Sequence, residues 1–291
     1  KHYGDSAARV VQESPYRLAM EVRGVGFKTA DRIAKSLGIA GDHPERVQAG
    51  VLHELNGLAD QGHVLFDRQG LAERAAQMLE VDVGHCGPAI DKLWASGLVV
   101  VEEQGVSLTR WHRAATALVE GLSRLLSRPG RVLSGIEATI ERFEQQAKVT
   151  LAPAQRLAVQ GAAEHKVIVV TGGPGVGKTT IVRAILDVMK RAHLQVRLAA
   201  PTGRAAKRLF EATSHEASTL HRLLEFDPRG GGFQLDAEKP IEADVVIVDE
   251  ASMIDVPLGA ALVSALGDAA RLIIVGDADQ LPSVGPGALL R

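Results

Sequence analysis

The feature that most constrains this chain is a β-branched run that leads directly into a glycine-rich turn and an apolar helix. The run Val-Ile-Val-Val covers residues 167–170. Its lack of polar alternation predicts a buried parallel strand. The turn reads Gly-Gly-Pro-Gly-Val-Gly-Lys-Thr-Thr over residues 172–180, and an apolar helix follows from Ile181 to Met189. A strand, a glycine-rich loop and a helix in this order are what a phosphate-binding loop requires.

The chemistry expected of this loop follows from its residue types. Glycines let successive N–H groups converge on an anion, and the helix N-terminus adds a partial positive charge. Lys178 supplies a cation for the β- and γ-phosphates, and the Thr179 hydroxyl supplies a hard oxygen for Mg²⁺. The alternative is a glycine-rich turn that carries a surface lysine. The predicted phosphate-binding residues are Gly173, Pro174, Gly175, Val176, Gly177, Lys178, Thr179 and Thr180.

Polar residues follow two further apolar runs downstream. Asp249 and Glu250 come directly after Val-Val-Ile-Val at residues 245–248, and Gln280 lies shortly after Leu-Ile-Ile-Val at residues 272–275. With a phosphate loop upstream, Asp249 is expected to hold Mg²⁺ together with Thr179. Glu250 is expected to orient or deprotonate the attacking water, and Gln280 to touch the γ-phosphate. An acid pair alone is also typical of a solvated strand end.

Four apolar runs that alternate with helical segments predict an α/β domain built on a parallel sheet. The second of these runs covers residues 195–200. Functional side chains are then expected at the carboxyl ends of the strands. We therefore expect Lys178, Asp249, Glu250 and Gln280 to lie at one edge of one sheet.

The N-terminal part has a different pattern, dominated by short helices. Gly24-Val25-Gly26 separates two of them, and the second begins at about Phe27. Hairpin amides and a helix N-terminus of this kind can grip a DNA backbone phosphate, with Lys28 and Arg32 on the polar side. A purely structural helical corner fits the same pattern. Further helices and a β-hairpin near residues 98–109 are typical of a winged helix, which leaves function open.

Composition excludes several classes of protein. The net charge of −2 provides no overall basic field, so nucleic-acid binding must rely on local patches. Aromatic residues make up only 3% of the chain, which restricts base stacking. The single cysteine, Cys86, rules out an intrachain disulfide and fits a reducing cytoplasm. No apolar run is long enough to cross a bilayer, so we expect no membrane association.

The motifs together resemble the RecD-like branch of superfamily 1 helicases. The matching stretches lie at residues 172–180, 200–207, 217–224, 248–253 and 276–287, and residues 24–31 resemble the helix-hairpin-helix region of stand-alone RecD-like proteins. The resemblance implies an accessory region over residues 1–110, a helical connector over 111–149 and a first RecA-like motor domain over 150–291. It also implies a bacterial cytoplasmic protein of DNA repair or recombination, with other proteins of those processes as possible partners.

The family couples ATP hydrolysis to 5′→3′ movement on single-stranded DNA. By this resemblance the cofactors are ATP and Mg²⁺, and Gln155 contacts adenine. Single-stranded DNA or DNA junctions are the expected partners. Helix capping is an alternative for the two threonines of the DNA set, and a solvated helix face is an alternative for Arg204 and Lys207. The implied DNA contacts are Thr202, Gly203, Arg204, Thr219, His221 and, in the hairpin, Gly24, Gly26 and Lys28.

The family also has a second motor domain, whose arginine completes the ATP site. Absence of such an arginine costs roughly three to five orders of magnitude in rate. We therefore expect residues 1–291 to be a fragment that binds nucleotide weakly, hydrolyses it slowly and does not unwind DNA. Two other functions fit the sequence, namely a nucleotide-gated DNA-binding module without motor activity and a relaxase-associated helicase domain.

Overall fold

The computed structural model describes residues 7–22, 24–280, 283 and 285–290. The chain divides into two compact units, residues 1–113 and 114–291, and the division falls inside a helix that begins at Thr109. Each unit has its own hydrophobic core. None of the helices in the described ranges is both long enough and apolar enough to cross a membrane.

The first unit consists mainly of short helices. Their starts follow from local chemistry: Pro44 occupies the first turn of one helix, and the Asp67 carboxylate accepts a hydrogen bond from the Gly70 N–H at the start of another. The helices are α1 (Ala7–Glu13), α2 (Tyr16–Glu21), α3 (Phe27–Ser36), α4 (Pro44–Asp60), α5 (Arg68–Leu79) and α6 (Cys86–Ala95).

A β-hairpin completes the first unit, at the place where the sequence predicted one near residues 98–109. Strands β1 (Val99–Glu102) and β2 (Gly105–Leu108) pair antiparallel, with Val99 opposite Leu108. Val106 also forms a bridge to Phe66.

Three polar side chains are buried together among the helices of this unit. Tyr16 is fully buried, and its hydroxyl donates a hydrogen bond of 2.9 Å to Asp31. The Arg46 guanidinium donates a second bond of 2.8 Å to the same carboxylate oxygen. Because these residues lie on α2, α3 and α4, the ion pair fixes the two hairpin helices against α4.

The second unit is an α/β domain. It contains α7 (Thr109–Leu126, shared with the first unit), α8 (Ile136–Ala147), α9 (Pro153–Glu164), β3 (Val167–Thr171), α10 (Lys178–Arg191), β4 (Val196–Ala200), α11 (Gly203–Thr213), β5 (Ala217–Thr219), α12 (Leu220–Leu223), β6 (Phe226–Asp227), β7 (Gly232–Phe233), β8 (Val245–Val248), α13 (Val256–Ser264) and β9 (Arg271–Gly276).

The sheet is parallel, as predicted, but it differs from the prediction in two respects. Within the described residues it has five strands in the order β3-β9-β8-β4-β5, because residues 217–219 add a short strand that the sequence did not indicate. Among these strands β3 pairs only with β9, so it lies at an edge. The prediction that the 167–170 run is buried is therefore wrong in part: Val169 is 50% exposed.

Helices cover both faces of the sheet. Along β8, Val245 and Ile247 face the core formed with α8, α9, α10 and α11, whereas Val246 and Val248 face the core formed with α7 and α13. Strand β9 alternates in the same way. Because both faces are covered, these central strands are continuous apolar runs without polar alternation.

Two buried cations hold the ends of helices in this unit. The Arg271 guanidinium donates hydrogen bonds to the carbonyls of Ala163 and His165, at the end of α9, and to the carbonyl of Arg131. The Lys166 amine donates to the carbonyl of Leu125, at the end of α7. These helix-end carbonyls have no partner within their own helices, so the buried cations satisfy them.

Candidate functional site

The sheet brings three loops to one edge. Strand β3 runs parallel to β9 with Thr171 beside Gly276, and β9 runs parallel to β8 with Ile274 beside Val248. The segments that follow these residues therefore leave the same carboxyl edge. They are the glycine-rich loop, the segment starting at Asp277 and the Asp249–Glu250 pair.

The glycine-rich loop leads into α10 through left-handed backbone positions. Gly175 and Gly177 have φ values of +79° and +83°, which residues with a side chain rarely adopt. Lys178 is the first residue of α10, and its amine donates hydrogen bonds of 2.6 Å to the Gly172 carbonyl and 2.8 Å to the Gly173 carbonyl. The lysine charge is thus held over the loop, where an anion would bind.

The acid pair has a constrained backbone and a perturbed carboxyl. Glu250 has φ +55°, an uncommon conformation for a residue with a side chain, and its N–H donates a bond of 2.9 Å to Asp249 Oδ1. Burial raises the pKa of Asp249 above its usual value, and the negative charge of Glu250 adds to this. The Glu250 N–H and the charge of Lys178 act in the opposite direction. A cation beside Asp249 would compensate the charge that burial disfavours.

Asp277 connects the cationic and amide parts of the site. It is only 2% exposed, and its carboxylate lies 3.8 Å from the Lys178 amine. The Gln280 amide donates a bond of 3.0 Å to Asp277, whose other oxygen accepts from the Asp279 N–H. Asp277 was not among the site residues predicted from the sequence. Its place just beyond an apolar run, separated from that run only by Gly276, was the available signal.

Gln155 contacts the glycine-rich loop from the first turn of α9. Its side-chain oxygen accepts a bond of 2.9 Å from the Ala152 N–H, and its side-chain nitrogen donates one of 2.8 Å to the Val176 carbonyl. The structure therefore places Gln155 against the loop itself.

The donor set fits a magnesium ion. Thr179 is exposed in the first turn of α10 and supplies a hydroxyl, and Asp249 supplies a carboxylate. Among the residues that the structure describes, no group of three or more His, Cys, Asp or Glu side chains could hold a metal. Magnesium commonly uses one or two protein oxygens together with substrate phosphates and water, so this sparse set suits it.

Residues assigned to DNA by resemblance occupy the same edge, farther along the sheet. Ala200, the last residue of β4, pairs with Thr219, the last residue of β5, so the segments beginning at Thr202 and at Thr219 lie near each other. Both threonines cap helices: Thr202 Oγ1 accepts from the Ala205 N–H and Thr219 Oγ1 from the Arg222 N–H, each at 3.2 Å. The capping alternative is therefore observed, and each hydroxyl retains its proton as a donor.

The other residues of this group are exposed. Gly203 and Arg204 begin α11 at the surface. His221 contacts two phenylalanines of the β6–β7 hairpin, Phe226 and Phe233, with ring centroids 5.5 and 5.6 Å away. The residue order of this segment gave no signal for the aromatic contact.

The predicted hairpin contacts belong to the first unit. Gly24 has φ +94° and is exposed, Gly26 directly precedes α3, and a side chain at either glycine would meet open space. Lys28 and Arg32 are exposed on α3. Open glycines and exposed cations leave the hairpin accessible to a large ligand.

One predicted motif is only partly described. Of the 276–287 stretch, residues 281, 282 and 284 lie outside the described residues. Gln280, the residue assigned a role in that stretch, lies inside them.

Comparison with known proteins finds two families along the chain. Residues 1–65 match the family described as "ATP-dependent RecD2 DNA helicase HHH domain", and residues 155–286 match the family described as "AAA domain". The ATP-dependent RecD2 DNA helicase of Deinococcus radiodurans is 34% identical over 99% of this chain and 41% of its own length. The RecBCD enzyme subunit RecD of Mycobacterium tuberculosis is 44% identical over 47% of this chain and 28% of its own length.

A solved structure, Bacteroides Pif1 bound to ssDNA, aligns with 46% of this chain and 34% of its own at 24% identity, with a TM-score of 0.34. The chain spans well under half the length of the curated relatives described above. The two family matches and the relative that aligns along almost the whole chain agree with one another. The chain is therefore similar along almost its whole length to a RecD-like helicase, and its N-terminal residues match the helix-hairpin-helix domain of the RecD2 type.

Proposed function

We propose that this chain contains the first motor domain and the accessory region of an ATP-dependent DNA helicase. In the complete protein, ATP hydrolysis drives 5′→3′ movement on single-stranded DNA. One observation supports this most strongly: the charged and amide side chains of two loops meet at one sheet edge, through the Lys178–Asp277 and Asp277–Gln280 contacts, and the Asp249–Glu250 pair leaves the same edge. The Deinococcus relative, an ATP-dependent helicase by name, supports the same function.

In this proposal the chain's own residues perform most of the chemistry. Lys178 leaves the Gly172 and Gly173 carbonyls and donates to the β- and γ-phosphates. Glu250 orients the attacking water and accepts its proton, and Gln280 donates to the γ-phosphate. Thr179 and Asp249 would hold Mg²⁺, which neutralises phosphate charge when it is bound.

DNA is the proposed partner of two surfaces. Around the ends of β4 and β5, Thr202, Gly203, Arg204, Thr219 and His221 are proposed to contact the backbone of a single strand. The Gly24–Gly26 hairpin with Lys28 is proposed to grip a backbone phosphate without reading sequence. Because the chain is acidic overall, both contacts depend on local groups.

The test is the ATPase rate with and without single-stranded DNA, measured on residues 1–291 and on a longer chain that includes a second motor domain. We expect slow hydrolysis from residues 1–291 and a DNA-stimulated rate from the longer chain. The stimulated rate is expected to be roughly three to five orders of magnitude higher, since the resemblance assigns the completing arginine to the second domain. Unwinding of substrates with 5′ or 3′ tails then tests direction.

Two results would contradict the proposal. A longer chain that binds nucleotide and DNA but never hydrolyses ATP would favour a nucleotide-gated DNA-binding module. Fast DNA-stimulated hydrolysis by residues 1–291 would contradict the expected dependence on a second domain.

A further inference from the structure

The side chain of Gln155 ties the start of α9 to the phosphate loop. Its oxygen accepts from the Ala152 N–H at 2.9 Å, and its nitrogen donates to the Val176 carbonyl at 2.8 Å. These partners lie 24 residues apart in sequence. The anchor is firm because α9 buries Val159, Ala162 and Ala163 in the core beneath the sheet.

The bond to Val176 has a consequence for the next residue. In a trans peptide the C=O and the following N–H lie in one plane and point in opposite directions. Holding the Val176 carbonyl therefore fixes the direction of the Gly177 N–H. Such amides are the groups with which a glycine-rich loop binds phosphate.

Lys178 makes a second set of hydrogen bonds to the phosphate loop, which differs from that of Gln155. Lys178 donates to the carbonyls of Gly172 and Gly173. Because the same amine is needed by the phosphates, these hydrogen bonds are released when a triphosphate binds. Gln155 bonds to the Val176 carbonyl, which points away from the Gly177 N–H of the same peptide. The bond to Gln155 therefore persists while phosphate is bound to that N–H.

The packing at this point leaves little freedom. A Cβ added at Gly177 would come within 2.5 Å of the Gln155 nitrogen. The amide of Gln155 also keeps one proton and one lone pair beyond the two bonds described, so a contact to adenine is compatible with them.

We propose that Gln155 is a positioning residue of the phosphate loop, which orients the Gly177 amide through the Val176 carbonyl. This inference rests on the proposed nucleotide site and goes beyond a contact with the base. Binding of the phosphate chain then depends on Gln155 even when the ligand has no base.

The test compares ATP with inorganic tripolyphosphate, each with Mg²⁺, by titration calorimetry on the wild type, Gln155→Met and Gln160→Met. Methionine retains the length of glutamine but cannot form its hydrogen bonds. Gln160 lies on the same helix and bonds to Glu137, which makes it a matched control. We expect Gln155→Met to weaken both ligands by a similar factor of about fivefold, the usual effect of one neutral hydrogen bond, and Gln160→Met to weaken neither.

The outcomes separate the inference from the proposed function. A fall in ATP affinity with unchanged tripolyphosphate affinity would mean that Gln155 serves only the base, which overturns the inference and leaves the function intact. If a longer wild-type chain that includes the second motor domain bound neither ligand, both the inference and the proposed function would be overturned.

Hydrogen exchange of the ligand-free protein provides a second test, which also detects misfolding of the variant. With Gln155→Met, amide exchange is expected to speed up at residues 175–177 and to stay unchanged in the sheet. Unchanged exchange in the loop would overturn the inference.

Discussion

The Gln280 side chain donates a hydrogen bond of 3.0 Å to the carboxylate of Asp277. The same carboxylate lies 3.8 Å from the Lys178 amine. Buried Asp277 thus fixes the position of the Gln280 amide relative to the Lys178 amine. Both side chains are proposed to contact the γ-phosphate. We infer that Asp277 acts on the reaction through these two side chains.

We therefore expect Asp277→Asn to lower the rate of ATP hydrolysis while leaving nucleotide affinity nearly unchanged. Asparagine cannot balance the charge of Lys178, so Gln280 and Lys178 lose their fixed spacing. Misplacement of this kind costs about ten- to hundredfold in rate. Single-turnover hydrolysis and nucleotide titration measure the two quantities separately. The control is Asp279→Asn, because exposed Asp279 contributes only its backbone N–H. Equal decreases in rate and affinity would contradict this role.

Lys178→Met tests the phosphate interaction directly. A charge-assisted hydrogen bond contributes more than a neutral one, so nucleotide affinity is expected to fall roughly ten- to hundredfold. Titration with ADP and ATP measures the decrease. Lys190→Met is the control, since Lys190 is exposed in the last turn of the same helix, α10. Equal affinities of Lys178→Met and wild type would show that phosphate is bound elsewhere.

Glu250→Gln separates hydrolysis from binding. Glutamine retains the size of the side chain but accepts no proton from water. The hydrolysis rate is expected to fall by about 10²–10⁴, the usual contribution of a general base, while nucleotide binding is retained. The exposed Glu242→Gln serves as control. A single-turnover rate that survives in Glu250→Gln would assign proton transfer to another group.

The central strands and the two acid-bearing loops could be predicted from the sequence, because strands buried on both faces leave an uninterrupted apolar pattern. The exposure of Val169 could not be predicted, because the apolar run 167–170 does not show whether its strand is paired on one edge or on both. Residues 217–219 are too short for strand periodicity, and they form β5 only because β4 lies beside them. The Asp277–Gln280 and Gln155–Val176 bonds depend on side-chain direction, which the order of residues does not reveal.

For the helix-hairpin-helix region, we expect the double variant Lys28→Glu, Arg32→Glu to weaken DNA binding. Removing a cation that pairs with a phosphate also reduces the salt dependence, because fewer counterions are released on binding. The slope of log K against log salt should become shallower by about 0.7 to 0.9 for each such phosphate. Binding of single-stranded DNA at several salt concentrations measures both effects.

Lys92→Glu, which changes an exposed lysine on α6 of the same unit, controls for the effect of net charge on DNA binding. Unchanged affinity in a folded double variant would favour the packing alternative for the hairpin.

The stability of the first unit is expected to depend on pH through Asp31. Burial acts to raise the pKa of Asp31, but the hydrogen bonds from Arg46, then Lys35 and Tyr16, outweigh it and leave the pKa below its usual value. A carboxyl whose pKa is lower in the folded than in the unfolded state stabilises the protein at pH values above its unfolded-state pKa, which is about 4. This contribution is lost as the pH falls through the folded-state pKa. Asp31→Asn leaves the Arg46 charge buried without its partner, which costs about 3–5 kcal/mol near neutral pH.

Both tryptophans of the chain, Trp94 and Trp111, lie in the first unit, so their fluorescence in urea reports the unfolding of that unit. The difference in unfolding free energy between wild type and Asp31→Asn is expected to be largest at pH 7 and to decrease below about pH 4. At low pH, protonation of Asp31 in the wild type removes the same charge that the mutation removes. The exposed Asp42→Asn is the control and should leave the unfolding free energy nearly unchanged. A gap that stayed constant from pH 7 to pH 3 would mean that the charge of Asp31 does not stabilise the helix-hairpin-helix region.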